Sequence, residues 1–209
     1  MGDITGVDGM IDGQKKIVNA IKLCLENMNK KFVDLSRLKF DELNNRLKER
    51  FKKQKIQERP FAYEFYHQFR KLWESGFIFE VISQNAVIQA EVNKTYQRIP
   101  DLEKIPDFLL HKPNTNKNFA VIEFKLTSNI DEIEKDFKKL IAFKYELNYE
   151  YLIEIIIGDE NSLKNAKERI YSSLNDPNGE KIILIEFNTN SWRANDYEIK
   201  YKSTSPDSK

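Results

Sequence analysis

The run AVIEFKL, residues 120–126, constrains this chain more than any other segment. It is apolar and strand-forming until Glu123 and Lys125 interrupt it. Alternation along a strand sends Glu123 and Lys125 to one face and Phe124 to the other. A strand covered on both faces buries that carboxylate, and a buried carboxylate needs a cation or hydrogen-bond donors. The apolar segment before it, Asp107 to Leu110, is joined to it by the polar loop HKPNTNKN. A hairpin turning about Thr115 pairs Leu110 with Ala120 and Asp107 with Glu123. Directly opposed residues share a face, with Cβ atoms about 4.5–5.5 Å apart. Two carboxylates so placed repel unless positive charge stands between them. Lys125 supplies part of that charge, and a Mg²⁺ or Mn²⁺ ion would supply the rest.

Composition narrows which ion is possible. With one cysteine, Cys24, and two histidines, His67 and His111, the chain excludes a disulfide scaffold, a Cys-based zinc site and a His-rich metal site. Carboxylates must dominate any site, which selects a hard cation. The 34 basic residues nearly balance the 33 acidic ones, which excludes a globally polycationic coat and leaves room for a local basic face. No apolar run approaches the ~20 residues that span a bilayer, and the first residues lack a signal-peptide pattern. The expectation is a soluble, cytoplasmic protein without a membrane partner.

At 209 residues the chain suits one α/β domain with a helical annex. Four of seven glycines fall in residues 1–13, read as a flexible leader. Residues 14–58 read as an N-terminal helical extension, with Ile17, Ile21, Leu25 and Met28 at helical spacing, then Phe40, Leu43, Leu47 and Phe51. The run from Arg46 to Arg59 holds seven basic and two acidic residues, a solvated helix face or a phosphate-contacting arm. Residues 59–202 form the main domain, and 203–209 a disordered tail. Pro60 opens a helix with the stripe Phe61, Phe65, Phe69 and Leu72, which Gly76 ends. Glu64, His67, Gln68 and Lys71 lie beside that stripe. Strands are expected over residues 87–92, 107–110 and 119–126, then a helix over 131–148 and a strand over 151–157. A helix over 162–174, a turn at Asp176-Pro177-Asn178-Gly179, a strand over 181–187 and an edge strand through Tyr197, Ile199 and Tyr201 complete the chain. The first three strands predict an antiparallel meander, and the helical crossover predicts a parallel fourth strand.

Pro106-Asp107 followed by Glu123-Phe124-Lys125 resembles the motif of the PD-(D/E)xK nuclease superfamily, the restriction-endonuclease-like fold. The matching core runs from about Arg59 to Ile157. The (D/E)xK triplets Asp136-Phe137-Lys138 and Glu198-Ile199-Lys200 lie in a helical pattern and on an exposed strand, and no Asp hairpin precedes the second. The resemblance implies an α/β fold, a restriction-endonuclease-like mixed β-sheet flanked by helices. It implies a metal-dependent endonuclease hydrolysing phosphodiester bonds, in DNA rather than RNA, and possible action as a homodimer. It implies Asp107, Glu123 and the Phe124 carbonyl as ligands of Mg²⁺ or Mn²⁺, with Lys125 orienting the attacking water. It further implies an acidic residue from the first core helix, for which Glu64 is the candidate.

Each position also has a plainer reading. The hairpin could be a surface charge cluster, although the apolar setting of Glu123 argues against that. Glu64 could be an ordinary helix carboxylate, and Glu91 on the first strand is a weaker ligand candidate. His67 reads as a hydrogen-bonding or packing residue and His111 as solvated. Cys24 reads as a core position. Glu154 reads as salt-bridged or at a strand end. The rival function is an inactive nuclease-fold module that binds nucleic acid or assembles with protein partners.

Overall fold

In this computed structural model the described residues are 5–34, 56–76, 86–90 and 106–202. Helix α1 spans Thr5–Asn27, α2 Lys30–Val33 and α3 Glu58–Glu74. Strands β1 (Val87–Ala90), β2 (Phe108–His111) and β3 (Asn118–Leu126) follow. A 3-10 turn at Thr127–Glu132 leads into α4 (Ile133–Leu147), then β4 (Tyr151–Gly158), α5 (Glu160–Ser173), β5 (Asn175–Asn188) and β6 (Arg193–Tyr201). The six strands form one mixed sheet in the order β1-β2-β3-β4-β5-β6. The first three strands make the expected antiparallel meander. The α4 and α5 crossovers make β3, β4 and β5 parallel, and β6 returns antiparallel at the edge.

Period-2 alternation splits the sheet into two apolar faces. On the first, Ile122, Phe124, Ile153, Ile155 and Phe187 meet α1 and α3. Phe61 and Phe65 of α3 press edge-on against Phe124, with ring centroids 5.6 and 5.2 Å away. On the second, Leu109, Val121, Leu152, Ile156 and Leu184 meet Phe137, Leu140 and Ile141 of α4 and Leu163, Ala166 and Ile170 of α5. The sheet is therefore buried on both faces, the setting that makes Glu123 costly to bury.

Three expectations need correction. The leader is helical from Thr5 onward, because α1 begins there. The N-terminal helix is also not a separate annex. Its residues Ile17, Ile21, Leu25 and Met28 belong to the same core cluster as Phe61 and Phe124. The turn cluster 176–179 does not break the strand. Asn175 and Glu180 both pair with Tyr201, so the four residues bulge out between two paired positions. The expected helix over 37–57, most of the basic run, Glu91 and the tail 203–209 lie outside the described residues. Among the described residues no helix is long and apolar enough to cross a membrane.

Candidate functional site

The β2–β3 hairpin has the register expected from its sequence. Leu110 pairs with Ala120 and Phe108 with Ile122, and the same register continued sets Asp107 opposite Glu123. The Asp107 carboxylate turns onto the neighbouring backbone. Its Oδ2 accepts the Phe124 N–H at 2.8 Å. Asp107, Glu123 and Lys125 thus meet on the second face, at the end of β3 that leads into α4.

Helix α4 lays two further charges over them. Its apolar face carries Asp136 and Lys139 beside Phe137 and Leu140, and Asp136 is buried. Lys139 Nζ stands 2.5 Å from Glu123 Oε2 and 3.6 Å from Asp136 Oδ1. Lys125 Nζ stands 2.7 Å from Asp136 Oδ2 and 3.9 Å from Glu132. Asp136 therefore sits between the two ammonium groups. Strand β4 adds Glu154, in register with Glu123 across the parallel pair and wholly buried. Glu58, from the first turn of α3, lies by the end of β3, near enough to Lys125 and Asp107 to feel both charges.

Among the described residues, five carboxyl groups (Glu58, Asp107, Glu123, Asp136 and Glu154) surround the two ammonium groups of Lys125 and Lys139. Burial raises the Glu123 carboxyl well above its usual range and the Asp107 charge adds to the rise, against the Lys139 ammonium. Burial likewise raises Glu154 well above its usual range, with Asp136 and Glu123 adding. Asp107 is raised by burial, offset by the Phe124 N–H and Lys139. Glu58 is raised by burial, offset by Lys125. Burial works to lower both lysines, but Asp136 at Lys125 and Glu123 at Lys139 prevail and raise them. Glu58 Oε2, Glu123 Oε1 and both oxygens of Glu154 are buried without a hydrogen-bond partner among the described residues.

Glu64 does not join this cluster. Its Oε1 accepts the Asn29 N–H at 3.0 Å and Gln68 Nε2 at 2.7 Å. Helix α3 packs on the Phe124 face, so a residue in the middle of that helix has the sheet between it and Glu123. Only the N-terminal turn of α3, with Glu58, reaches the site. Glu154 is not at a strand end, and among the described residues it has no salt-bridge partner. It stands mid-strand, and its two oxygens lack hydrogen-bond partners among the described residues. His67 is exposed. His111 is not merely solvated, for its Nε2 lies 2.6 Å from Gln89 Oε1 across the β1–β2 pair. Cys24 is buried, and burial pushes its thiol up to about 12.

Sequence reasoning thus missed Glu58, Asp136, Lys139 and the neighbourhood of Glu154. One signal existed. Asp136 falls on the inward stripe of its helix, between Ile133 and Phe137, where a carboxylate needs a reason.

An all-oxygen donor set that outnumbers its ammonium groups, with carboxyl oxygens unpartnered among the described residues, fits a hard divalent cation. Among the described residues, however, no three His, Cys, Asp or Glu side chains form a ready ligand group. The Lys139 ammonium already holds one Glu123 oxygen. The fold and this cluster define a mixed α/β protein with a carboxylate–lysine centre at the end of a parallel strand. Comparison with protein-family models, with curated proteins and with solved structures gives no significant match.

Proposed function

We propose that this protein is a metal-dependent nuclease of the PD-(D/E)xK type, with a restriction-endonuclease-like core, that hydrolyses phosphodiester bonds in DNA. One observation carries the reading. Asp107 and Glu123 belong to opposed positions of one hairpin, and the Asp107 carboxylate is fixed on the N–H of Phe124, the residue between Glu123 and Lys125. The element order supports it as well: a helix, an antiparallel meander, a crossover helix and a parallel fourth strand.

In this reading Asp107, Glu123 and the Phe124 carbonyl hold a Mg²⁺ or Mn²⁺ ion, and Glu58 takes the role first assigned to Glu64. The bound ion would neutralise phosphate charge and lower the pKa of water. Lys125 orients the attacking water and steadies charge developing on the phosphate. Asp136 holds Lys125 in place at 2.7 Å and keeps it protonated. The apolar packing of β3 on both faces fixes the carboxylates before substrate arrives.

Incubation with supercoiled and linear DNA tests this. Cleavage is expected with Mg²⁺ or Mn²⁺ and not with EDTA. Asp107→Ala, Glu123→Ala and Lys125→Ala should each abolish it while the fold persists. Unchanged cleavage by folded Asp107→Ala would remove the proposed site. A second reading, an inactive nucleic-acid-binding module, draws on the engagement of both lysines by carboxylates. DNA retention without cleavage under any divalent ion favours that reading.

A further inference from the structure

The motif lysine is not the cation that neutralises the motif glutamate. Lys125 is turned to Asp136, at 2.7 Å, whereas Glu123 Oε2 is held at 2.5 Å by Lys139 from α4. Lys139 also lies 3.6 Å from Asp136 Oδ1 and is near enough to Asp107 to be felt there. A single ammonium group therefore stands among three carboxylates, two of which are the proposed ligands. That is the environment a divalent ion would need.

We propose that Lys139 is a built-in substitute for the metal: its ammonium holds Glu123 in the cation-free protein and must be displaced before a divalent ion binds. The inference rests on the metal-site reading above and adds to it a competitor encoded in the chain. Two physical facts carry it. First, a buried carboxylate without a counter-charge is strongly unfavourable, so the cation-free protein requires an internal cation at Glu123. Second, an ammonium and a divalent ion cannot share one carboxylate oxygen in a site of low polarity without strong repulsion. The lysine stem is flexible, and the side chain retains 11% exposure, which leaves it a route outward. A phosphodiester offers the displaced ammonium a new anionic partner. Metal and polyanion therefore bind together better than either binds alone, and Lys139 is a positioning residue that couples them.

The test is binding of Mn²⁺ alone, without nucleic acid, followed by electron paramagnetic resonance at pH 8. The proteins are the full-length wild type, Lys139→Met, Lys139→Gln, Lys139→Arg and Glu123→Gln. Lys139→Met and Lys139→Gln should bind Mn²⁺ at least about tenfold more tightly than the wild type, the ratio expected when a competing charge is removed. Lys139→Arg should keep the weak wild-type affinity, and Glu123→Gln should lose the site. Equal or weaker Mn²⁺ binding by the folded Lys139 variants overturns the competitor role and leaves the metal site intact. Absence of any Glu123-dependent Mn²⁺ binding in every protein overturns both. The wild type gives a check that needs no variant. Titration with Mg²⁺ should convert the Lys139 ε-methylene NMR signal from restrained to mobile, and a signal that stays restrained at saturation overturns the inference.

Discussion

The Asp107 carboxylate accepts the backbone N–H of Phe124 at 2.8 Å, so the aspartate of one strand is anchored on the residue between the glutamate and the lysine of the next. This bond ties the two halves of the motif into one rigid unit. It lowers the Asp107 carboxyl against the upward pull of burial. The candidate centre is thereby assembled before any ligand arrives, as electrostatic preorganisation requires.

The two helix glutamates should separate cleanly by mutation. Glu58→Gln should reduce metal-dependent cleavage with little change in thermal stability. Glu64→Ala should do the reverse, because it strips the partner from Asn29 N–H and Gln68. A loss of about 1–3 kcal/mol is expected for those abandoned donors. Activity assays paired with denaturant melts check this. Full activity in Glu58→Gln together with lost activity in a stable Glu64→Ala protein would restore the original assignment.

Glu154 should make stability depend on pH with a definite sign. Its carboxyl is raised well above the ordinary 4.5 by burial and by the Asp136 and Glu123 charges, while the unfolded chain keeps the ordinary value. The folded protein therefore binds more protons between the two values. Its contribution is fully present below the unfolded value and is lost as pH rises toward the folded one. Glu154→Gln should raise the melting temperature at pH 8 more than at pH 5. Equal shifts at the two pH values would show that Glu154 is not held as the neutral acid.

Gly158, the last residue of β4, is expected to tolerate no side chain. A Cβ there would collide with Thr127 Oγ1 and Ser162 Oγ. Gly158→Ala should cost about 1–3 kcal/mol, the usual range for overpacking. Combining it with Ser162→Ala should recover part of that loss. Urea titrations of the single and double variants measure the recovery, and a neutral single variant would contradict the packing.

Removal of residues 1–33 should abolish folding and not simply alter oligomeric state. Helix α1 contributes Ile17, Ile21, Leu25 and Met28 to the core that holds Phe61 and Phe124. Large-to-small changes in such cores cost about 2–5 kcal/mol each, and the deletion removes several at once. Circular dichroism and near-ultraviolet spectra of the truncated chain check this. A native-like spectrum would return α1 to the status of an annex.

The contrast between what the sequence showed and what it hid has physical causes. The hairpin register was readable because strand alternation and a polar loop fix which residues oppose one another, and Asp107 and Glu123 followed from that. The parallel β4 was readable from the length of its crossover. The choice between Glu58 and Glu64 was not readable. The phenylalanine stripe shows that α3 packs on something, but it does not say which face of the sheet lies beneath. Asp136 and Lys139 were hidden for a related reason: a helix pattern does not tell which strand end it will overlie. Glu154 was misread because buried carboxylates usually have partners, and this one has none among the described residues.

The most direct measurement is the anomalous diffraction of a crystal soaked in Mn²⁺. One strong anomalous peak is expected between the Asp107 and Glu123 carboxylates, with Lys139 withdrawn from Glu123. A protein that cleaves DNA with Mn²⁺ yet shows no peak at that place, or shows it elsewhere on the molecule, would contradict the account.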